Sequence, residues 1–231
     1  IKELILAFAV LLFSACSNDD YLQLPDGENV SVTFHPTLDG ILNTRAIGDA
    51  TGIDLLTVVV YEGSQTLSKK FSFSENWSIA QRNGITLTLI EGESYKILFW
   101  AEDESNSAYT LTDDGRITVN YNDYINGGFD KMEEMDAFCG TSSITVSSEK
   151  NENMQIELSR PLAQLNFADN VTQPEQGTHQ AVVTLNSIPT SFNPFTGAIE
   201  MSDTEFSFTF TDFPDETLSA DGSTSYYLSS N

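Results

Sequence analysis

"LLTVVVY", residues 55–61, and "YKILFWA", residues 95–101, are apolar at consecutive positions rather than alternate ones. A strand with one face in water alternates apolar and polar residues, because successive side chains point to opposite sides of the sheet. Two stretches that lack this alternation read as central strands of a two-layer sandwich, covered on both faces.

The segments around them do alternate. "VSVTF" places Val30, Val32 and Phe34 on one face, "KFSF" places Phe71 and Phe73, and "ITLTL" places Ile85, Leu87 and Leu89. The same holds for "ITV" (Ile117, Val119), "MQIEL" (Met154, Ile156, Leu158) and "FSFTF" (Phe206, Phe208, Phe210). Turn signals fall between them: "EGS" at 62–64, "RNG" at 82–84, "EGE" at 91–93, "TDDGR" at 112–116 and "NGG" at 126–128. Their spacing is near the roughly 8–12 residues of all-β chains. Helical periodicity is almost absent, and only "DKMEEMDAF" (130–138) reads as one or two helical turns. The fold class is therefore all-β, as antiparallel β-sandwiches.

A domain boundary is expected near "SRPLAQLNFADNV", residues 159–171. Pro161 cannot donate to a ladder and belongs at a strand's start, after which Ala163, Leu165 and Phe167 alternate with polar residues. The expected domains are 29–158 and 159–231. Strands are expected in the second near 162–168, 180–186, 196–200, 205–211 and 224–229. That domain reads as incomplete, because "SYYLSSN" breaks off in mid-pattern and a sandwich of this kind has about seven strands.

Composition narrows the function. The 231 residues are 40% hydrophobic and 11% aromatic, enough for a packed core. Lys and Arg number 10 against 34 Asp and Glu, a formal charge of −24. Such a surface repels phosphate backbones, so nucleic acid is not an expected partner.

The N-terminus carries an address. After Lys2, the apolar run Leu4–Phe13 is far shorter than the ~20 residues a spanning helix needs. It reads as the core of a signal peptide, residues 1–15. Phe13-Ser14-Ala15-Cys16 resembles a bacterial lipobox, which implies that Cys16 becomes the first mature residue, with acyl chains on its sulfur and its amine. Two or more chains hold a protein firmly at a membrane without spanning it. The other reading of Cys16 is a buried free thiol. Residues 16–28 form an acidic tether, and Ser17-Asn18-Asp19-Asp20 resembles the tag that sends lipoproteins of some Gram-negative anaerobes to the outer cell surface.

Motifs of catalysis are missing: there is no G-x-S-x-G elbow, no G-x-G-x-x-G, no phosphate loop and no H-E-x-x-H. The expectation is no enzyme, no cofactor and no metal. The acidic pairs Asp19-Asp20, Asp113-Asp114 and Glu133-Glu134 are what chance gives among so many acids. His35 is expected on the polar face of its strand and His179 in a loop. Cys139, without a second free cysteine once Cys16 is acylated, reads as a small buried hydrophobe. "NWS" (76–78) and "NVT" (170–172) fit the glycosylation pattern, which a bacterial lipoprotein does not normally use.

The order of "NTRA", "VVVYEG", "YKILFWAE", "DAFCG" and "SRPLAQLNF" behind a lipobox resembles the fimbrillin-like lipoproteins of type V pili, nearest to their uncharacterised members. The resemblance covers most of residues 1–231. It implies two transthyretin-like β-sandwich domains, an outer-membrane location facing the exterior, and other pilin-like subunits as partners. It also implies cleavage at Arg45-Ala46, departure of the first strand, and its replacement by a strand from another subunit. The alternative for Arg45 is a solvated residue of the Pro36–Gly52 loop that is never cut. A host or bacterial surface ligand is a further expected partner, and the alternative function is a non-polymerising surface lipoprotein that binds a glycan through Trp77, Tyr109, Tyr121 or Tyr124.

Overall fold

The computed structural model describes residues 28–39, 50, 52–63, 66–121, 135–147, 153–162, 164–169, 181–203, 205–210 and 224–229. Its strands begin with β1 (Asn29–Leu38), β2 (Leu55–Glu62) and β3 (Ser68–Asn76), followed by the helix α1 (Trp77–Asn83). Next come β4 (Ile85–Ile90), β5 (Ser94–Glu102), β6 (Tyr109–Leu111), β7 (Ile117–Val119), β8 (Ala137–Thr145) and β9 (Met154–Leu158). The rest are β10 (Gln164–Asp169), β11 (Ala181–Leu185), β12 (Pro189–Phe192), β13 (Ile199–Met201), β14 (Phe206–Phe210) and β15 (Thr224–Ser229). The all-β class holds.

The two doubly apolar stretches are β2 and β5, the inner strands of an antiparallel sheet of order β3-β2-β5-β8. Each face of this sheet has its own core. Leu56, Val58 and Val60 of β2 join Ile97, Phe99 and Ala101 of β5 against Val30, Val32, Phe34 and Leu87 of the sheet β4-β1-β9. On the opposite face, Val59, Tyr61, Leu98 and Trp100 pack against Tyr109, Ile117, Val119 and Phe192 of the sheet β13-β12-β7-β6. Both faces are covered as expected, but by a third layer rather than within two. The Trp100 ring shows how: it meets Tyr109 edge-on at 4.9 Å and Phe192 at 6.3 Å, between ring centroids.

The third layer takes strands from both sides of residue 159, since Ser191 and Phe192 of β12 pair with Thr118 and Ile117 of β7. Two further ribbons, β10-β15 and β11-β14, are antiparallel pairs.

Three local readings change. The segment before the "RNG" turn signal, where no helix was expected, is the helix α1. Asn76 caps it, its side-chain oxygen accepting from the backbone N–H of Ser78 at 3.1 Å and of Ile79 at 3.3 Å. Gly84 ends it at φ 74, its N–H donating to the Ala80 carbonyl. Trp77 and Ala80 bury its inner face. Ala137 and Phe138, placed at the end of a helical stretch, begin β8; residues 122–134 lie outside the described residues. β12, with Pro189 as its first residue, was not expected at all.

Candidate functional site

Strand β1 is the element on which the strand-replacement reading turns. It runs to Leu38, past the expected end at Phe34. Asn29–Phe34 pairs antiparallel with β4, from Asn29 opposite Ile90 to Phe34 opposite Ile85. Phe34–Leu38 pairs parallel with β9, from Phe34 opposite Met154 to Leu38 opposite Leu158. Phe34 alone belongs to both ladders. Beyond it, Asp39 N–H donates to the Leu158 carbonyl at 2.8 Å. Alternation then directs the main chain of Thr37 and His35 toward β9. Pro36 faces the other way, beyond Ile85, where the β4 ladder has ended, so its missing N–H breaks no pairing.

The inward side chains Val30, Val32, Phe34 and Pro36 are buried, and the Phe34 ring lies 5.1 Å from that of Phe99. Gly84 closes the outer side. A Cβ there would stand 2.9 Å from the Phe34 carbonyl oxygen and from Thr33 Cγ2, so only glycine lets the end of α1 lie against β1. Removing β1 would open two facing sheet edges and an apolar furrow between them.

The three most specific sequence motifs meet at one place. Trp100 of "YKILFWAE" pairs with Cys139 of "DAFCG", and Cys139 exchanges backbone hydrogen bonds with Ser159 of "SRPLAQLNF" at 2.8 and 3.0 Å. Arg160 donates to both carboxylate oxygens of Asp136, and its guanidinium lies over the Phe138 ring. Gly140 permits this closure, since a Cβ there would come within 2.9 Å of the Glu157 carbonyl oxygen. Beside the junction is an open groove of about 460 Å³ between β8, β9 and the β12–β13 hairpin. Thr141, Glu157, Ser159 and Asn193 line it with polar groups, and Pro194 and Ile199 with apolar ones.

Two half-buried acids have shifted titrations. Burial pushes the Cys139 thiol up to about 12. Burial also raises Glu102, at the end of β5, to about 7; the Trp100 indole N–H lowers it by less, and Asp103 adds to the rise. Glu102 Oε2 and Trp100 Nε1 have no partner in hydrogen-bond geometry among the described residues.

The expected site residues are placed as follows. Cys16, Arg45, Ala46, Tyr124, Asn170 and His179 lie outside the described residues. Trp77, Tyr109 and Tyr121 are buried, at 7%, 8% and 7% exposure. They form no platform for a sugar, because Trp77 anchors α1 in one core while Tyr109 and Tyr121 fill the other. His35 is half-buried on the face of β1 away from the core, and Cys139 is half-buried on the groove wall. Among the described residues no cluster of three metal-ligating side chains occurs, and no helix is long and apolar enough to cross a membrane. The groove itself went unseen in the sequence, because its walls come from residues far apart along the chain.

The sequence model described as "Family of unknown function (DUF6562)" matches residues 25–229. No curated protein matches the chain. Its fold is similar to that of candidate polysaccharide-binding proteins (DUF1812) from Bacteroides thetaiotaomicron, with a TM-score of 0.52 at 12% identity over 87% of this chain and 71% of that one. The fimbrial anchor protein Mfa2 from Porphyromonas gingivalis gives 0.47 at 14%, covering 87% and 72%. A candidate adhesin from Bacteroides ovatus gives 0.46 at 11%, covering 87% and 73%.

Proposed function

The chain belongs to the family of unknown function DUF6562, and from that premise we propose that it is a surface-exposed lipoprotein acting as a pilus-type subunit or adhesin, with β1 as an exchangeable strand. Cys16 carries the lipid, residues 1–15 are removed, and residues 16–28 tether the folded part to the outer face of the outer membrane. Cleavage between Arg45 and Ala46 frees β1 at its C-terminal end.

The observation that carries the reading is the seating of β1. It lies between β4 and β9 with its alternate side chains in the core, and the proposed cleavage bond follows a few residues after its last pairing. A strand of matching alternation from a second subunit would recover both ladders and the furrow.

Treatment of the purified precursor with an Arg-specific protease tests it. The expected result is one early cut after Arg45, followed by a ladder of multimers on denaturing gels. An uncut loop, or a cut without multimers, would overturn strand exchange. Labelled palmitate should be incorporated by the expressing cells' protein and not by the Cys16→Ser variant.

A second reading, a non-polymerising glycan-binding lipoprotein, shares the anchor. It is favoured by the polar groove beside Cys139 and by the fold shared with candidate polysaccharide-binding proteins of Bacteroides thetaiotaomicron.

A further inference from the structure

We infer that the groove between β8, β9 and the β12–β13 hairpin binds a neutral saccharide, with the Glu157 carboxylate and the Asn193 side-chain amide as its two directing groups. The inference rests on the glycan-binding reading of this groove and is independent of β1 exchange, so its failure leaves strand exchange untouched.

The polar groups in the groove are available. Thr141, Glu157 and Ser159 make no side-chain hydrogen bond to any described residue. The Asn193 side-chain oxygen accepts from Phe195 N–H at 2.9 Å and Thr196 N–H at 3.2 Å, which fixes the amide, and its NH₂ has no partner among the described residues. One fixed donor, one charged acceptor and two hydroxyls that can do either job match the vicinal hydroxyls of a sugar. Pro161, Pro194 and the half-exposed Ile199 supply the apolar edges that a sugar's C–H faces require. The volume, about 460 Å³, falls within the roughly 300–1,000 Å³ of small-ligand sites.

Charge decides the class. Glu157 within the groove and the formal net charge of −24 on the whole chain disfavour sulfated, sialylated or uronic acid sugars. An added peptide strand is disfavoured for a different reason: the N–H and C=O of Cys139 are already taken by Ser159, so the edge that borders the groove is closed there.

The test is a glycan array probed with the purified full chain, holding neutral and anionic oligosaccharides, followed by calorimetric titration of the neutral sugars retained. Glu157→Gln keeps the shape and removes the charged acceptor. Asn193→Asp keeps the oxygen that caps the hairpin turn and removes the NH₂ donor. Each is expected to weaken binding ten-fold or more, with an unchanged thermal melt certifying the fold. Retention of anionic sugars alone, retention of no sugar, or unchanged affinity in both variants would overturn the inference. So would displacement of the sugar by an extended peptide that pairs with β8.

Discussion

Arg160 holds Asp136 with two parallel hydrogen bonds, Nε to Oδ1 at 2.7 Å and Nη2 to Oδ2 at 3.0 Å, while its guanidinium carbon lies 4.4 Å from the centre of the Phe138 ring. The pair joins the start of β8 to the segment that follows β9, beside the Cys139–Ser159 bridge. A planar fork can make both bonds and stack at once; an ammonium cannot. Arg160→Lys keeps the charge and should still destabilise the fold by about 1 kcal/mol, given the pair's partial exposure. Urea denaturation checks it. An unchanged midpoint would mean that the junction closes without the fork.

Phe34 tests the seating of β1. It is fully buried and is the one residue of β1 held by both neighbouring strands. Truncating a buried phenylalanine costs about 3–5 kcal/mol, so Phe34→Ala should lower the denaturation midpoint sharply. His35→Ala, on the other face, should fall within about 0.5 kcal/mol of the parent. Equal effects would show that β1 does not seat by its inward face.

Cys139 should be chemically quiet. The thiolate is the reactive form, and a thiol held near 12 is almost wholly protonated at pH 8. In protein carrying Cys16→Ser, a disulfide reagent should label Cys139 only after denaturant is added. Rapid labelling of the folded protein would contradict the burial that raises this thiol.

The architecture was legible where the physics is local. β2 and β5 announce two covered faces by unbroken apolar runs, and β4 announces one by alternation. The third layer was not legible, because it arises from pairing between β7 and β12, which lie on opposite sides of residue 159. α1 is too short for a period to show, and its signal was the pair Asn76 and Gly84 at its ends. Asn76→Ala should therefore cost about 1 kcal/mol. The aromatic residues misled for a simple reason: composition says that rings are present, and only packing says that Trp77, Tyr109 and Tyr121 spend them in the core. The motifs "YKILFWAE", "DAFCG" and "SRPLAQLNF" were conspicuous one by one, yet their meeting at Cys139 is long-range and could not be read from order alone.

Glu102 makes stability depend on pH in the direction opposite to a salt-bridged acid. Burial raises it from 4.5 to about 7, because the carboxylate is largely enclosed; the Trp100 indole N–H opposes the rise by less, and the charge of Asp103 adds to it. Below pH 4.5 the group is neutral in both the folded and the unfolded chain and imposes no penalty. As pH rises from 4.5 to 7 the unfolded chain releases the proton while the folded one keeps it, so stability falls through that window and levels off above it. A difference of this size corresponds to roughly 3 kcal/mol. Glu102→Gln removes the titration, and its amide supplies no charge to desolvate. The variant should match the parent in urea denaturation near pH 4 and exceed it by a few kcal/mol at pH 8. If parent and variant keep the same separation at both pH values, the raised titration of Glu102 is refuted.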